Sequence, residues 1–313
     1  MKICVIGNGA FGKKHLDALK CIDDVEVVCL VGAREESTKK VAKDFDVPFY
    51  TTSLEEALKM DFDAAIIASP TQIHAQQAIA VMEAGKHVMV EIPMADSLED
   101  AQAIVDTQKR TGMVAMAGHT RRFNPSHQYI HTKIQKGELS IQQMDVQTYF
   151  FRRTNTNALG EKRSWTDHLL WHHACHTVDL FAYQTGEEIT QVQAMQGPIH
   201  KELGISLDMS IGLKTASGKL CTLSLSFNND GPFGTFFRYI CDKGTYLARY
   251  DDLFNGKDEQ IDVSKIAVSM NGIELQDREF ITAIKEKREP NASVQQALAA
   301  MKILDLCEKE LQK

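Results

Sequence analysis

The sequence predicts an α/β fold: a doubly wound parallel sheet in the first third of the chain, then an α+β region whose open sheet is mostly antiparallel. Three observations carry that reading. A short β-branched apolar run at residues 2–7 (KICVIG) leads straight into a glycine-rich turn and a helix-like segment ending near Leu19. Strand-like and helix-like runs then alternate as far as Ala117, the pattern of βαβ units. Past that point apolar and polar residues alternate over several short runs, as half-buried strands require. The expected organisation is a dinucleotide-binding domain at residues 1–118 and a second domain at 119–313.

The turn reads Gly7-Asn8-Gly9-Ala10-Phe11-Gly12. Such a GxGxxG needs its first glycine for a tight turn, its second for close approach of the backbone to a pyrophosphate, and its third for packing of helix on strand. The phosphates then meet the positive end of the helix. On its own the motif is weak, but here a strand precedes it, a helix follows, and a second strand comes at residues 25–31. Gly7, Gly9, Ala10, Phe11 and Gly12 are therefore expected to hold a dinucleotide. An NAD-specific site commonly has an acid about 20 residues beyond the last glycine, for the ribose 2′-hydroxyl. Gly32 occupies that place, and Ala33 and Arg34 follow. An arginine there suits a 2′-phosphate, so NADP is the expected cofactor, with NAD less favoured.

Strands are then expected at residues 62–69, 87–90 and 113–117, with helices at 72–84 and 97–111. Ligands of such sheets bind beyond the carboxyl ends of the strands. That places Ser69-Pro70-Thr71, with His74 shortly after, and Glu91-Ile92-Pro93 at the cofactor. In the second half a helix is expected at residues 123–136 and strands at 142–151, 191–196, 206–214, 219–227 and 235–241. Ser217-Gly218 is a hairpin turn. Helices return from Ile273, with Pro290-Asn291 breaking them before Ser293.

With 43% hydrophobic and 25% charged residues the chain has the composition of a soluble globular protein. Its formal net charge of -7 argues against a nucleic-acid partner, which needs excess Lys and Arg on one face. A small molecule is the expected partner. Seven cysteines without a CxxC pair suit reduced thiols in a cytoplasm. Neither an export signal nor a membrane-spanning run is expected.

Residues 164–180 (SWTDHLLWHHACHTVDL) concentrate four histidines. On a helix His168, His172 and His176 would stack along one face with Asp179 near the same line, while His173 would point elsewhere. Such a face suits proton transfer, anion binding or metal ligation, or else a hydrogen-bonded seam between helix and sheet.

Five segments, GNGAFG, ASPTQIHA (68–75), AGKHVMVEIP (84–93), GHTRRFNP (118–125) and CHTVD (175–179), resemble the glucose-fructose oxidoreductase, inositol dehydrogenase and rhizopine-catabolism family over essentially the whole chain. The resemblance implies a Rossmann domain followed by a substrate domain whose open sheet often forms an oligomer interface, hence a homo-oligomer with a dimer favoured. Two departures stand out. Ile92 replaces the lysine of the family's Glu-Lys-Pro, and His172 stands where an Asp is usual, four residues before the family histidine, here His176.

Longer strings, among them IQQMDVQTYFFRR and CTLSLSFNNDGPFGTFFRYICD, resemble a narrower branch that oxidises a dicarboxylate semialdehyde from aromatic-ring cleavage to a pyrone. That branch implies oxidation of a cyclic hemiacetal without a metal. His176 is the expected base and His173 its rival, with His172 and Asp179 orienting. A dicarboxylate calls for arginine, whose planar fork matches a carboxylate. Arg121, Arg122 and Arg152 are the candidates, Arg122 and Arg152 foremost, joined by Trp165 and His173, and more weakly by Arg238 and Tyr239. Four alternatives stay open: a Cys175 nucleophile, zinc on His168, His172 and His176, a sugar or inositol dehydrogenase, and a non-catalytic NADP-binding sensor.

Overall fold

A computed structural model describes residues 1–156, 166–263 and 272–313. The chain divides into two compact units, Met1–His119 with Val268–Leu298, and Thr120–Ala267 with Ala299–Lys313. The expected α/β class holds: one sheet is wholly parallel and the other mostly antiparallel.

The first unit alternates β1 (Lys2–Ile6), α1 (Ala10–Leu19), β2 (Glu26–Val31), α2 (Glu35–Asp44), β3 (Phe49–Thr51), α3 (Leu54–Leu58), β4 (Ala64–Ile67), α4 (His74–Glu83), β5 (His87–Val90), α5 (Leu98–Thr111) and β6 (Ala115–Ala117). The strands pair in the order β3-β2-β1-β4-β5-β6. Order reverses between β1 and β4, so the turns after these two strands flank the place where such sheets bind ligands. β4 is buried along its whole length and β1 beyond its first residue, which is why both read as unbroken apolar runs. Ser97 caps α5 by accepting from the Asp100 N–H at 3.1 Å, and Gly112 closes the helix at φ 69°.

In the second unit come α6 (Pro125–Gln135), β7 (Ile141–Tyr149), α7 (Cys175–Thr185), β8 (Ile189–Gln196), β9 (Asp208–Thr215), β10 (Leu220–Ser226), β11 (Gly234–Cys241), β12 (Gly244–Arg249), β13 (Asp252–Asn255) and β14 (Gln260–Ile261). These strands form one sheet ordered β14-β13-β12-β11-β7-β10-β9-β8, in which only β7 and β10 run parallel. Met144, Val146, Leu223, Leu225, Ile211, Leu213, Phe237 and Tyr239 supply the buried face. On the other face Asp145, Gln147, Phe236 and Arg238 line an open hollow. The expected hairpin is present, with Gly218 at φ 95° and the Thr215 N–H donating to the Lys219 carbonyl. The chain ends in α8 (Ile273–Glu286) and α9 (Val294–Leu311). Among the described residues no helix is long and apolar enough to cross a membrane.

Two helix expectations are corrected. Residues Thr120–Phe123 form a tight 3-10 turn, and α6 begins only at Pro125, because the residue before a proline is pushed out of the helical region. The histidine run is not one regular helix. His168 is extended (φ -116°, ψ 131°), Leu169–Ala174 form a wide π-helical turn, and α7 starts at Cys175. Spacing of four therefore does not stack His168, His172 and His176 on one α-helical face.

Candidate active site

In the first unit the glycine turn is shaped for a dinucleotide. Gly7 has φ 119°, and a Cβ on it would lie 2.4 Å from the Ala68 carbonyl oxygen. A Cβ at Gly12 would come within 1.9 Å of the Gly7 oxygen. Over Gly9, by contrast, nothing lies within 4 Å. Side chains are thus excluded where strand meets helix, and room is left where a pyrophosphate would approach. Gly9 also opens α1 with no side-chain cap, leaving the first N–H groups of the helix for an anion. Ala10 and Phe11 follow, Phe11 half exposed beneath the Lys14 ammonium.

Gly32 is more than a missing acid. A Cβ there would sit 2.1 Å from Thr38 Oγ1 and 2.9 Å from the Asn8 side chain, and the Asn8 amide donates to Ser37 and Thr38. A side chain at Gly32 would thus meet the packed Asn8 and Thr38 side chains. Ala33 and Arg34 are exposed, with the Arg34 carbonyl accepting from Thr38 Oγ1 at 2.7 Å.

Past β4 and β5, His74 joins the two turns. Its Nδ1 lies 2.9 Å from the Pro93 carbonyl and its Nε2 2.8 Å from that of Ser69. Burial holds its pKa below the ordinary value, so the ring is neutral and donates from one nitrogen at a time. Ser69 Oγ donates to Gln77 at 2.6 Å, and Thr71 is buried in the short turn that follows Pro70. Ile92 is half-buried, and Glu91 beside it is buried with its carboxylate on His15 and Gln276. His15, Gln276 and Asp277 escaped sequence reasoning. The one available signal was a histidine on the buried face of α1, three residues after Gly12.

In the second unit the three candidate arginines each face a polar partner. Arg122 grips Asp179 with two bonds, Nε–Oδ2 at 2.8 Å and Nη2–Oδ1 at 2.6 Å, both groups buried, with its guanidinium over Tyr183. Burial alone would lower the Arg122 pKa, but Asp179 outweighs it and raises the value. Arg121 donates to Asn124 at 3.2 Å and lies over the Tyr250 ring, and Asn124 in turn donates to Asp251. Arg152 pairs with Asp167, which also takes His173 Nε2 at 3.0 Å. Phe150 and Phe227 wall this group, lying against both the His173 ring and the Arg152 guanidinium.

The histidines divide. Nδ1 of His172 accepts from the His168 N–H at 3.0 Å, and Nδ1 of His168 accepts from the Leu170 N–H at 3.2 Å. These two rings tie down the chain entering the π turn, and burial holds the His168 pKa below its ordinary value. His173 and His176 keep part of their surface accessible, whereas Cys175 is buried at 1% exposure. Among the described residues no group of three His, Cys, Asp or Glu is placed to hold a metal ion. Tyr239 is fully buried with its hydroxyl 2.7 Å from His127 Nδ1, and Arg238 stands exposed on the open face of the sheet, so neither joins Arg122 or Arg152. Trp165 lies outside the described residues.

Residues 1–119 match the oxidoreductase family with an NAD-binding Rossmann fold, and residues 125–267 match bacterial oxidoreductases, C-terminal. The sequence is 64% identical over its whole length to a Sphingobium protein named 4-carboxy-2-hydroxymuconate-6-semialdehyde dehydrogenase, 99% of which is covered. The chain belongs to the Gfo/Idh/MocA oxidoreductase family. It is more distantly similar to a scyllo-inositol 2-dehydrogenase (NAD(+)) of Bacillus subtilis, 27% identical over 61% of this chain and 56% of that one. The fold is shared with a probable dehydrogenase from Thermotoga maritima, at TM-score 0.84 and 20% identity over 100% of this chain and 97% of that chain. It is shared also with an Agrobacterium radiobacter oxidoreductase solved with NAD+, L-tartaric acid and magnesium, at TM-score 0.86 and 15% identity over 100% and 96% of the two chains. As a family oxidoreductase, this chain has an NAD-binding Rossmann unit.

Proposed function

We propose that this chain is an NADP-dependent dehydrogenase that converts the cyclic hemiacetal of 4-carboxy-2-hydroxymuconate-6-semialdehyde to 2-pyrone-4,6-dicarboxylate. The reaction belongs to the protocatechuate 4,5-cleavage route of aromatic catabolism and runs in the cytoplasm. The observation that carries this reading is 64% identity, end to end, with the Sphingobium protein of that name. The preference for NADP is supported by Gly32, which stands where an acid is usual and whose Cβ would meet Thr38 and Asn8, and by the exposed Arg34 two residues on.

Ring closure adds an enol oxygen of the substrate to its aldehyde, leaving a carbon that bears both a hydroxyl and a hydrogen. Oxidation removes the hydroxyl proton and a hydride from that carbon, and a lactone carbonyl forms. NADP, when bound on the glycine turn, supplies the hydride acceptor. The rest falls to the chain. His176, at the family's histidine position, accepts the hydroxyl proton, and His173, backed by Asp167, is the rival base. His172 and Asp179 hold the surrounding backbone and Arg122 in place. Arg152 and Arg121 are the cations offered to the substrate carboxylates, whereas Arg122, expected from the sequence to touch substrate, is committed to Asp179 and stiffens the same turn. Ile92 replaces the family lysine without loss, since a hemiacetal hydroxyl is easier to ionise than that of a sugar alcohol.

The test is direct. With the semialdehyde and NADP+, reduced nicotinamide and the pyrone should appear in equal amounts, faster than with NAD+. A protein that binds cofactor and turns over none of it is a sensor, and one that prefers inositol is a sugar-alcohol dehydrogenase; either result sinks the reading. The open face bearing Phe236 and Arg238 supports a homodimer, and a monomeric mass on sedimentation would overturn that part.

A further inference from the structure

The first unit buries a charged cluster that the mechanism above does not use. His15 on α1 has Nδ1 2.9 Å and 3.0 Å from the two oxygens of Asp277 on α8, and Nε2 3.1 Å from Glu91 Oε1. Gln276 donates to that same Oε1 at 3.2 Å. The side chains of His15 and Asp277 are 0% exposed, and that of Glu91 is 11% exposed. Gly118 gives the carboxylate its room, because a Cβ there would lie 2.6 Å from Oε1.

An imidazole facing a carboxylate from each nitrogen can serve both only as a cation. Burial opposes that charge, yet Asp277 and then Glu91 overcome it and hold the pKa of His15 up at about 10. Glu91 stays below its ordinary range against burial because His15 and Gln276 bond it, while burial pushes Asp277 up. His74 faces Glu91, and Glu274, itself paired with Arg278, faces Asp277. Apolar replacement of such a cluster is often neutral or stabilising, so stability alone is a poor reason for it. Glu91 Oε1 is bonded twice, whereas Oε2 takes no hydrogen bond from any described residue.

We infer that His15 is a positioning residue: a buried cation braced by Asp277, it fixes Glu91 through one oxygen, keeps the carboxylate ionised, and leaves the other oxygen to accept from the bound dinucleotide. The inference rests on the reading that Glu91 borders the cofactor. The probes are NADP+ and NAD+ themselves, titrated against the full-length protein at several pH values without substrate. In the wild type, affinity should be flat through the neutral range and nitrogen NMR of the apoprotein should show His15 protonated on both nitrogens. His15→Gln should weaken binding on the order of tenfold, the worth of one well-oriented hydrogen bond to a charged group. It should also introduce a new ionisation near neutrality, that of an unneutralised buried Glu91, and adding Glu91→Gln should abolish it. Should His15→Gln fail to fold, Asp277→Asn carries the test, since without its brace His15 itself titrates in the neutral range. Unchanged affinity with no new ionisation in the folded variant, accompanied only by a lower Tm, overturns the proposal. So does a singly protonated His15 ring. A wild type that binds cofactor but fails on the semialdehyde refutes the substrate reading and leaves these titrations intact.

Discussion

Both units set histidines against carboxylates, and they do so to opposite ends. His15 lies between Glu91 and Asp277 with no exposed side-chain surface, and both of its nitrogens are committed. His173 Nε2 lies 3.0 Å from Asp167, and His173 and His176 both keep part of their surface accessible. The first arrangement makes a fixed charge. The second holds the groups that the proposed mechanism assigns to proton transfer. Burial separates the two arrangements, and the residue type does not.

The largest expected effect probes the accessible side of this contrast. His176→Asn should lower kcat about 10²- to 10⁴-fold, the usual contribution of a general base, with cofactor binding unchanged; near wild-type kcat would pass the role to His173. Next comes the distinction between a braced and an offered arginine. Arg122→Ala removes one partner of a buried ion pair and should cost about 3–5 kcal/mol of stability in chemical denaturation. Arg152→Ala, with its side chain 27% exposed, should cost less stability and chiefly raise KM for the dicarboxylate. Equal stability losses would erase the distinction.

Arg34→Ala should lower kcat/KM for NADP+ on the order of tenfold, the worth of one hydrogen bond to a charged group, and leave NAD+ nearly unaffected. An equal loss with both cofactors would remove Arg34 from the 2′-phosphate. For the fixed charge, the sign follows from a folded pKa of about 10 against an ordinary 6.5. The stability that His15 contributes is complete below pH 6.5 and is lost as pH rises through about 10. Denaturation at a series of pH values should show that loss in the wild type and a flatter alkaline limb in His15→Gln. The smallest effect is expected of Cys175→Ser, which should keep full activity because this cysteine is buried away from any substrate at 1% exposure; an inactive variant would restore the thiol mechanism.

Legibility followed how local each feature is. β5 runs from His87 to Val90 as the apolar run foretold, and α5 begins after its Ser97 cap. The short strands β12, β13 and β14 were missed because their burial scarcely alternates. The spacing of the histidine run fits a regular helix equally well, because spacing alone cannot distinguish an α turn from a π turn.

By itself the sequence determined the class of fold, the glycine turn, the absence of a ribose acid at Gly32 and the family motifs. All of these are properties of a few neighbouring residues and their backbone. Only the tertiary structure decided which cation meets which acid. Arg122 and Asp179 are 57 positions apart, and His15 and Asp277 are 262 apart. Nothing near either residue announces such a partner, because the energy that pairs them arises only once folding has removed both from water.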